Sequence, residues 1–218
     1  MTRWELLDTA STPSGGTMTL HRRSHELSIR IDGAELMNSR MHGSEEAMAR
    51  LACEGAPARA RVLVGGLGMG FTLAAVCAAV GPEASVTVCE LMPAVVAWNR
   101  GVLGVLASEP LKDPRVRVVV DDVRSQIRGR WDVILLDVDN GPDGLTQPEN
   151  GWLYGPAGLG ELRRALAPGG RLAIWSAHPD EAFTRRLGQS GFSAAAHTVR
   201  ARANGKGPKH TIWVAQVS

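Results

Sequence analysis

The sequence predicts an α/β fold built on a mostly parallel sheet, and three observations carry that prediction. From residue 61 onward, short apolar runs alternate with helical runs, the succession of a parallel sheet covered on both faces. The first apolar run, Val62-Leu63-Val64, opens straight into Gly65, Gly66, Gly68 and Gly70. A chain that drops its side chains at the carboxyl end of a strand lets its backbone approach a ligand closely. At the other end, residues 192–202 and 210–217 read as strands joined through Ala203-Asn204-Gly205, an antiparallel hairpin.

The elements follow in order. Residues 18–21 and 26–31 alternate apolar and polar, with a turn at Asp32-Gly33, predicting a small N-terminal antiparallel sheet. A helix over 44–52 comes next, with Ser44 and Glu46 in its first turn as caps for free N–H groups. We therefore divide the chain into an N-terminal strand region with its linking helix, residues 1–55, and a main domain, residues 56–218. In the main domain, strands are predicted over 61–64, 85–90, 115–120, 132–136 and 171–176. Helices are predicted over 69–80, 93–103, 156–166 and 180–188, punctuated by Gly81-Pro82 and by Pro168-Gly169-Gly170. With the hairpin, the sheet has seven strands.

Composition narrows the function classes. The 24 basic and 22 acidic residues nearly cancel, which argues against a dedicated nucleic-acid binder. The basic bias of His21, Arg22, Arg23, His25 and Arg30 reads as a solvated strand face. Apolar runs fall short of the ~20 residues that a membrane span needs, and the start of the chain lacks the apolar core of a signal peptide. Cys53, Cys77 and Cys89 are odd in number without metal-like spacing, and are expected as reduced thiols of a cytoplasmic protein. The six histidines form no ligand cluster, so no metal is expected.

The glycine spacing points to the ligand. Gly66-x-Gly68-x-Gly70 is not the spacing that seats a pyrophosphate, and no lysine follows the loop to grip a phosphate. Glu90 ends the second strand 20 residues after Gly70, where an acid is placed to take two ribose hydroxyls. A nucleoside without phosphates fits both observations, which directs the reading to S-adenosylmethionine or a relative.

On these segments the chain resembles the class I S-adenosylmethionine-dependent methyltransferases, a Rossmann-like fold, and within them the spermidine synthase-like branch. The resemblance runs through Asp32-Gly33, Ser44 to Met48, the glycine loop, residues 115–122, residues 131–139 and Leu166-Ala167-Pro168-Gly169-Gly170. It implies that Gly65, Gly66, Gly68, Met69 and Gly70 border the methionine-derived part of the ligand. Glu90, with Leu91 beside it, would hold the ribose. Asp122 and the Val123 amide would take the adenine, and Asp137 would face the sulfonium. It also implies a small-molecule substrate and a homodimer paired through the N-terminal strands.

The departures from the branch bear on the reaction. Polyamine-making members carry an Asp in the glycine loop for the aminopropyl ammonium, and here Met69 stands in that place. They carry Tyr-His or Tyr-Gln before the helix Glu, and here the pair is Ser44-Glu45. Their fourth strand ends Asp-Ser-Ser/Thr-Asp-Pro, whereas this one reads Asp137-Val138-Asp139-Asn140-Gly141-Pro142. Burying a cation without a partner costs several kcal/mol. The zwitterionic end of intact S-adenosylmethionine instead suits loop amides or an arginine such as Arg40. Methyl transfer to a small acceptor is therefore the first reading, with Asp137 and Asp139 to orient or deprotonate that acceptor. Arg40, Glu45, Asn140, Trp152 and Tyr154 are candidate acceptor contacts, the last two as an aromatic wall unless Trp152 only packs its loop. Two alternatives stay open: aminopropyl transfer from decarboxylated S-adenosylmethionine to a polyamine, and a cofactor-binding homologue without catalysis.

Overall fold

The computed structural model describes residues 3–138, 141–142, 151–202 and 204–217. The chain opens with an antiparallel meander of four strands, β1 (Glu5–Ser11), β2 (Thr17–Arg23), β3 (Glu26–Ile31) and β4 (Ala34–Asn38), in that spatial order. Only β2 and β3 carry the alternation that marks a strand in sequence. β1 lies at the edge of this sheet and is mostly exposed, and β4 is short, so neither shows a periodic signal. The turn between β3 and β4 holds both Asp32 (φ 49°) and Gly33 (φ 84°) in the left-handed region, as a tight hairpin demands. The Asp32 carboxylate then accepts from the Thr17 N–H at 2.8 Å, closing the end of the meander.

Helix α1 (Gly43–Cys53) links this sheet to the main one. Its start differs from expectation. The N-cap is His42, which makes no side-chain cap bond, and Ser44 turns its hydroxyl elsewhere because it is fully buried. Glu46 pairs with His42 at 2.9 Å.

The main sheet has seven strands: β5 (Arg61–Gly65), β6 (Ser85–Glu90), β7 (Val116–Val120), β8 (Trp131–Leu136), β9 (Leu166–Ser176), β10 (Phe192–Arg200) and β11 (Lys209–Val217). Their spatial order is β10-β11-β9-β8-β5-β6-β7. β5 to β9 run parallel, and the terminal hairpin inserts β11 antiparallel beside β9. The chain walks outward from β5 to β7 and then returns to β8, so the order reverses between β5 and β8. A crevice opens at such a switch point, at the carboxyl ends of the strands.

Alternate residues of each strand serve opposite faces. Val62, Val64, Val133 and Leu135 join the core shared with α1, α2 (Phe71–Ala79) and the N-terminal sheet, including Met18, Leu20 and Ile29. Leu63, Ile134 and Leu136 face the other core, with Phe183, Leu187 and Trp213. Each large side chain so buried contributes roughly 1.5–3 kcal/mol. Two elements differ from the sequence reading. The helix expected over 93–103 is two helices, α3 (Pro93–Asn99) and α4 (Val102–Leu106), broken at Arg100-Gly101. β9 continues through Pro168-Gly169-Gly170, because the ladder skips from Trp131↔Leu166 to Val133↔Arg171 and absorbs the extra residues as an irregularity. No helix among the described residues is long and apolar enough to cross a membrane.

Candidate functional site

A cavity of about 350 Å³ opens at the carboxyl ends of β5 to β8, beneath the N-terminal sheet. Four consecutive strand ends deliver its floor: the glycine loop after β5, Glu90 at the end of β6, Asp121 to Val123 after β7, and Asp137 after β8.

The glycines are required by geometry. Gly66, Gly68 and Gly70 have φ of 86°, 50° and 87°, a region that side chains rarely adopt. A Cβ on Gly66 would strike the Asp137 carbonyl, and one on Gly70 would come within 2.7 Å of Asn99 Oδ1. The loop is fixed by its neighbours as well: Gly66 donates to the Cys89 carbonyl at 2.9 Å, and the Asn99 amide donates to the Gly68 carbonyl at 2.8 Å.

Glu90 is buried, and its two carboxylate oxygens accept from the Leu67 N–H at 2.9 Å and the Met92 N–H at 2.8 Å. Burial pushes its pKa up, against these backbone N–H donors, which pull it down. The Gly68 and Leu91 N–H groups also act on this carboxylate, so the backbone on both sides of the cavity floor converges on it. Leu91 beside it lines the cavity and is more than a third exposed. Asp122 lines the cavity, and its carboxylate accepts from the Arg124 N–H at 2.9 Å, just ahead of the short helix α5 (Arg124–Ile127), whose N-cap is Val123.

One part of the cavity holds a pair of carboxyls from distant parts of the chain. Asp137 accepts from the Thr72 hydroxyl at 2.6 Å, and desolvation pushes its pKa up. Glu45, from the first turn of α1, is pushed up to about 8, by burial first and by the charge of Asp137 second. Two carboxyls in a dry site cannot both ionise easily, so each raises the other's affinity for a proton. Behind Glu45, the Ser44 hydroxyl lies 2.6 Å from its carboxyl and 2.9 Å from His210 Nδ1. Burial lowers the His210 pKa, with a smaller contribution from His178. The Trp175 ring packs edge-on against His210 at 4.7 Å, with its buried Nε1 unpartnered.

Other candidates lie elsewhere. Arg40 is half exposed, pairs with Glu26 at 3.1 Å and does not line the cavity. Tyr154 is buried in the core, where its hydroxyl donates to the Val138 carbonyl at 3.1 Å. Trp152 lies under the Arg124 guanidinium at 4.9 Å. Neither aromatic lines the cavity, so an aromatic wall from this pair is not formed; the rings that line it are those of Phe71, Trp175 and His210. Asp139 and Asn140 lie outside the described residues. Sequence reasoning missed Thr72, His210 and Trp175, and it missed that Met18, Met37, Met41 and Met92 join Met69 in the lining. Nothing local marks them: Ser44 and His210 are 166 residues apart. Among the described residues, no group of three or more His, Cys, Asp or Glu is placed to hold a metal.

The architecture and the position of this cavity are those of the class I methyltransferase fold. Solved spermidine synthases share this fold over almost the whole of the chain, the N-terminal strand meander included. A spermidine synthase in complex with the transition-state analogue AdoDATO superposes with a TM-score of 0.76 at 17% identity, over 98% of this chain and 72% of that one. Spermidine synthase from Thermotoga maritima gives 0.77 at 16% identity over the same shares. In sequence, the polyamine aminopropyltransferase of Mycobacterium tuberculosis is 36% identical over 124 residues, which is 54% of this chain. That alignment spans 23% of the relative's own length, about a quarter. No family model matches the chain.

Proposed function

We propose that the chain transfers the aminopropyl group of decarboxylated S-adenosylmethionine to an amine. The carrying observation is the charge of the cavity. Among its described lining residues are five carboxyls, Glu45, Glu90, Asp121, Asp122 and Asp137, and no lysine or arginine. A decarboxylated donor and an amine acceptor are both cations, and acidic walls of low dielectric favour them. The carboxylate of intact S-adenosylmethionine would find no lysine or arginine among the described lining residues, since Arg40 faces Glu26. The relatives' names point the same way. This puts the aminopropyl alternative ahead of methyl transfer.

Glu90 would receive the ribose hydroxyls, and Asp122 with Val123 would receive the adenine. The acceptor nitrogen attacks the propyl carbon bonded to sulfur. The C–N bond forms as the C–S bond breaks, the electron pair passes to sulfur, and methylthioadenosine leaves. The new secondary ammonium then sheds one proton. The protein's part is to align an in-line displacement, exclude water and accept that proton.

Met69 keeps methyl transfer as the second reading, because it offers no charge to an aminopropyl ammonium at the loop. Calorimetric titration with both donors, followed by product analysis with a set of amines, separates the two. Tighter binding of the decarboxylated donor and release of methylthioadenosine are expected. Preference for the intact donor and release of S-adenosylhomocysteine would restore methyl transfer.

A further inference from the structure

The amine that attacks must lose a proton, and the cavity holds two carboxyls able to take it. They differ in what stands behind them. Asp137 accepts from the Thr72 hydroxyl at 2.6 Å, at the end of the sheet under the glycine loop. Glu45 is tied to a chain of groups that leads away: Ser44 Oγ at 2.6 Å, then His210 Nδ1 at 2.9 Å. His210 is half-buried on β11, and His178 beyond it is exposed.

We propose that Glu45 takes the proton released by the attacking amine and passes it through Ser44 to His210, which returns it to solvent. This rests on the amine-transfer reading above.

The hydrogen-bond inventory supports the route. A serine hydroxyl has one hydrogen and can serve only one of its two partners at a time. With Glu45 ionised, Ser44 donates to Glu45 and accepts from the His210 Nδ1–H. With Glu45 protonated, Glu45 donates to Ser44, and Ser44 donates to the bare Nδ1 of neutral His210. Both arrangements satisfy all three groups, and they differ by a concerted reversal of the chain. Starting from the second, transfer of one proton along the chain yields carboxylate and imidazolium, which is the first. No other reactant is needed. Burial and His178 keep His210 from retaining the proton.

The charged and titratable groups around Glu45 agree with this. Asp137 at the end of β8 and Glu46 on its own helix both raise its affinity for a proton, while Ser44 lowers it. Glu46 is itself paired with His42. α2, which packs on α1, brings no charged side chain. A donor sulfonium placed beside the pair would lower the Glu45 pKa, so the group ionises when the donor is bound. Glu45 stands where polyamine-making relatives of the resembled branch carry His or Gln, so this route belongs to the present chain.

Two measurements test it. In the first, Glu45→Gln is expected to bind decarboxylated S-adenosylmethionine within a few-fold of the native chain by calorimetry. Its amine-dependent release of methylthioadenosine should fall about 10²-fold or more, and the rise of kcat/KM with pH should disappear. In the second, nitrogen-15 NMR of His210 should show Nδ1 passing between bare and protonated as Glu45 titrates, and this coupling should vanish in Glu45→Gln and Ser44→Ala. Native turnover with an intact pH rise in Glu45→Gln overturns the proposal. So does a His210 titration identical in all three proteins. Failure of the aminopropyl reading shows separately, as a native chain that makes no methylthioadenosine with any amine; the NMR comparison then still decides the route.

Discussion

The Glu90 carboxylate holds the Leu67 amide at 2.9 Å, so the acid at the end of β6 is part of the scaffold of the glycine loop it faces. Its other oxygen holds the Met92 amide at 2.8 Å, at the entry to α3. Glu90→Gln leaves one oxygen for two N–H donors and turns an NH₂ toward the other. We expect a loss of about 1–3 kcal/mol from the unsatisfied buried donor, together with weaker methylthioadenosine binding. Thermal melts and calorimetry on the variant check this; native values in both would remove Glu90 from both tasks.

Gly66 and Gly33 separate two costs of replacing a glycine. Both have positive φ, 86° and 84°, but a Cβ on Gly33 meets nothing within 4 Å, whereas one on Gly66 meets the Asp137 carbonyl. Gly33→Ala should cost about 1–2 kcal/mol of backbone strain alone. Gly66→Ala should cost clearly more and displace Asp137. Denaturant midpoints of the two variants give the comparison, and equal losses would contradict it.

Arg115 ties the far end of α2 to β7. Its guanidinium donates to the Cys77, Val80 and Gly81 carbonyls at 2.7, 3.0 and 3.0 Å, and is oriented by Asp113 at 2.6 Å. These are orphan carbonyls at a helix end, which a planar fork can serve and a lysine cannot. Arg115→Lys is expected to lose about 1–3 kcal/mol, seen as a lower urea midpoint. Since this contact is far from the cavity, donor affinity should not change.

Stability should fall as the solution becomes alkaline, for a reason located at Glu45. Its carboxyl is raised from the usual 4.5 to about 8 in the folded chain. Between those values the folded chain keeps a proton that the unfolded chain has lost, so folding weakens as pH rises through that window. His210 acts with the opposite sign, because its lowered pKa disfavours the folded form only at acid pH. The difference between native and Glu45→Gln melting temperatures isolates the Glu45 contribution. That difference should tilt against the native chain from pH 4.5 towards pH 8, and a flat difference would refute the assignment.

Much of this molecule is legible one segment at a time. The run Val62-Leu63-Val64, the four glycines after it and the acid Glu90 each report on their own neighbourhood, and the strands and cavity floor follow from them. Boundaries slipped where a tertiary contact outweighed a local signal. Asn99 turns its amide to the Gly68 carbonyl, where the helix expected over 93–103 breaks in two. β9 runs through Pro168-Gly169-Gly170 because β8 pairs on both sides of the irregularity. Ser44 reads as a cap, but burial at the start of α1 gives its hydroxyl to Glu45 and His210.

The sequence by itself determined the parallel sheet, the closing hairpin and the row of strand ends bearing Gly66, Glu90, Asp122 and Asp137. Those follow from periodicity and from backbone conformations that only certain residues permit. Only the tertiary structure decided which acids share one cavity, that Arg40, Trp152 and Tyr154 stay out of it, and that Glu45 feels the charge of Asp137 while Ser44 joins it to His210. The physical reason is range. Secondary structure is written in neighbours a few residues apart, whereas the charge and proton affinity of a site depend on desolvation and on groups that folding alone brings together.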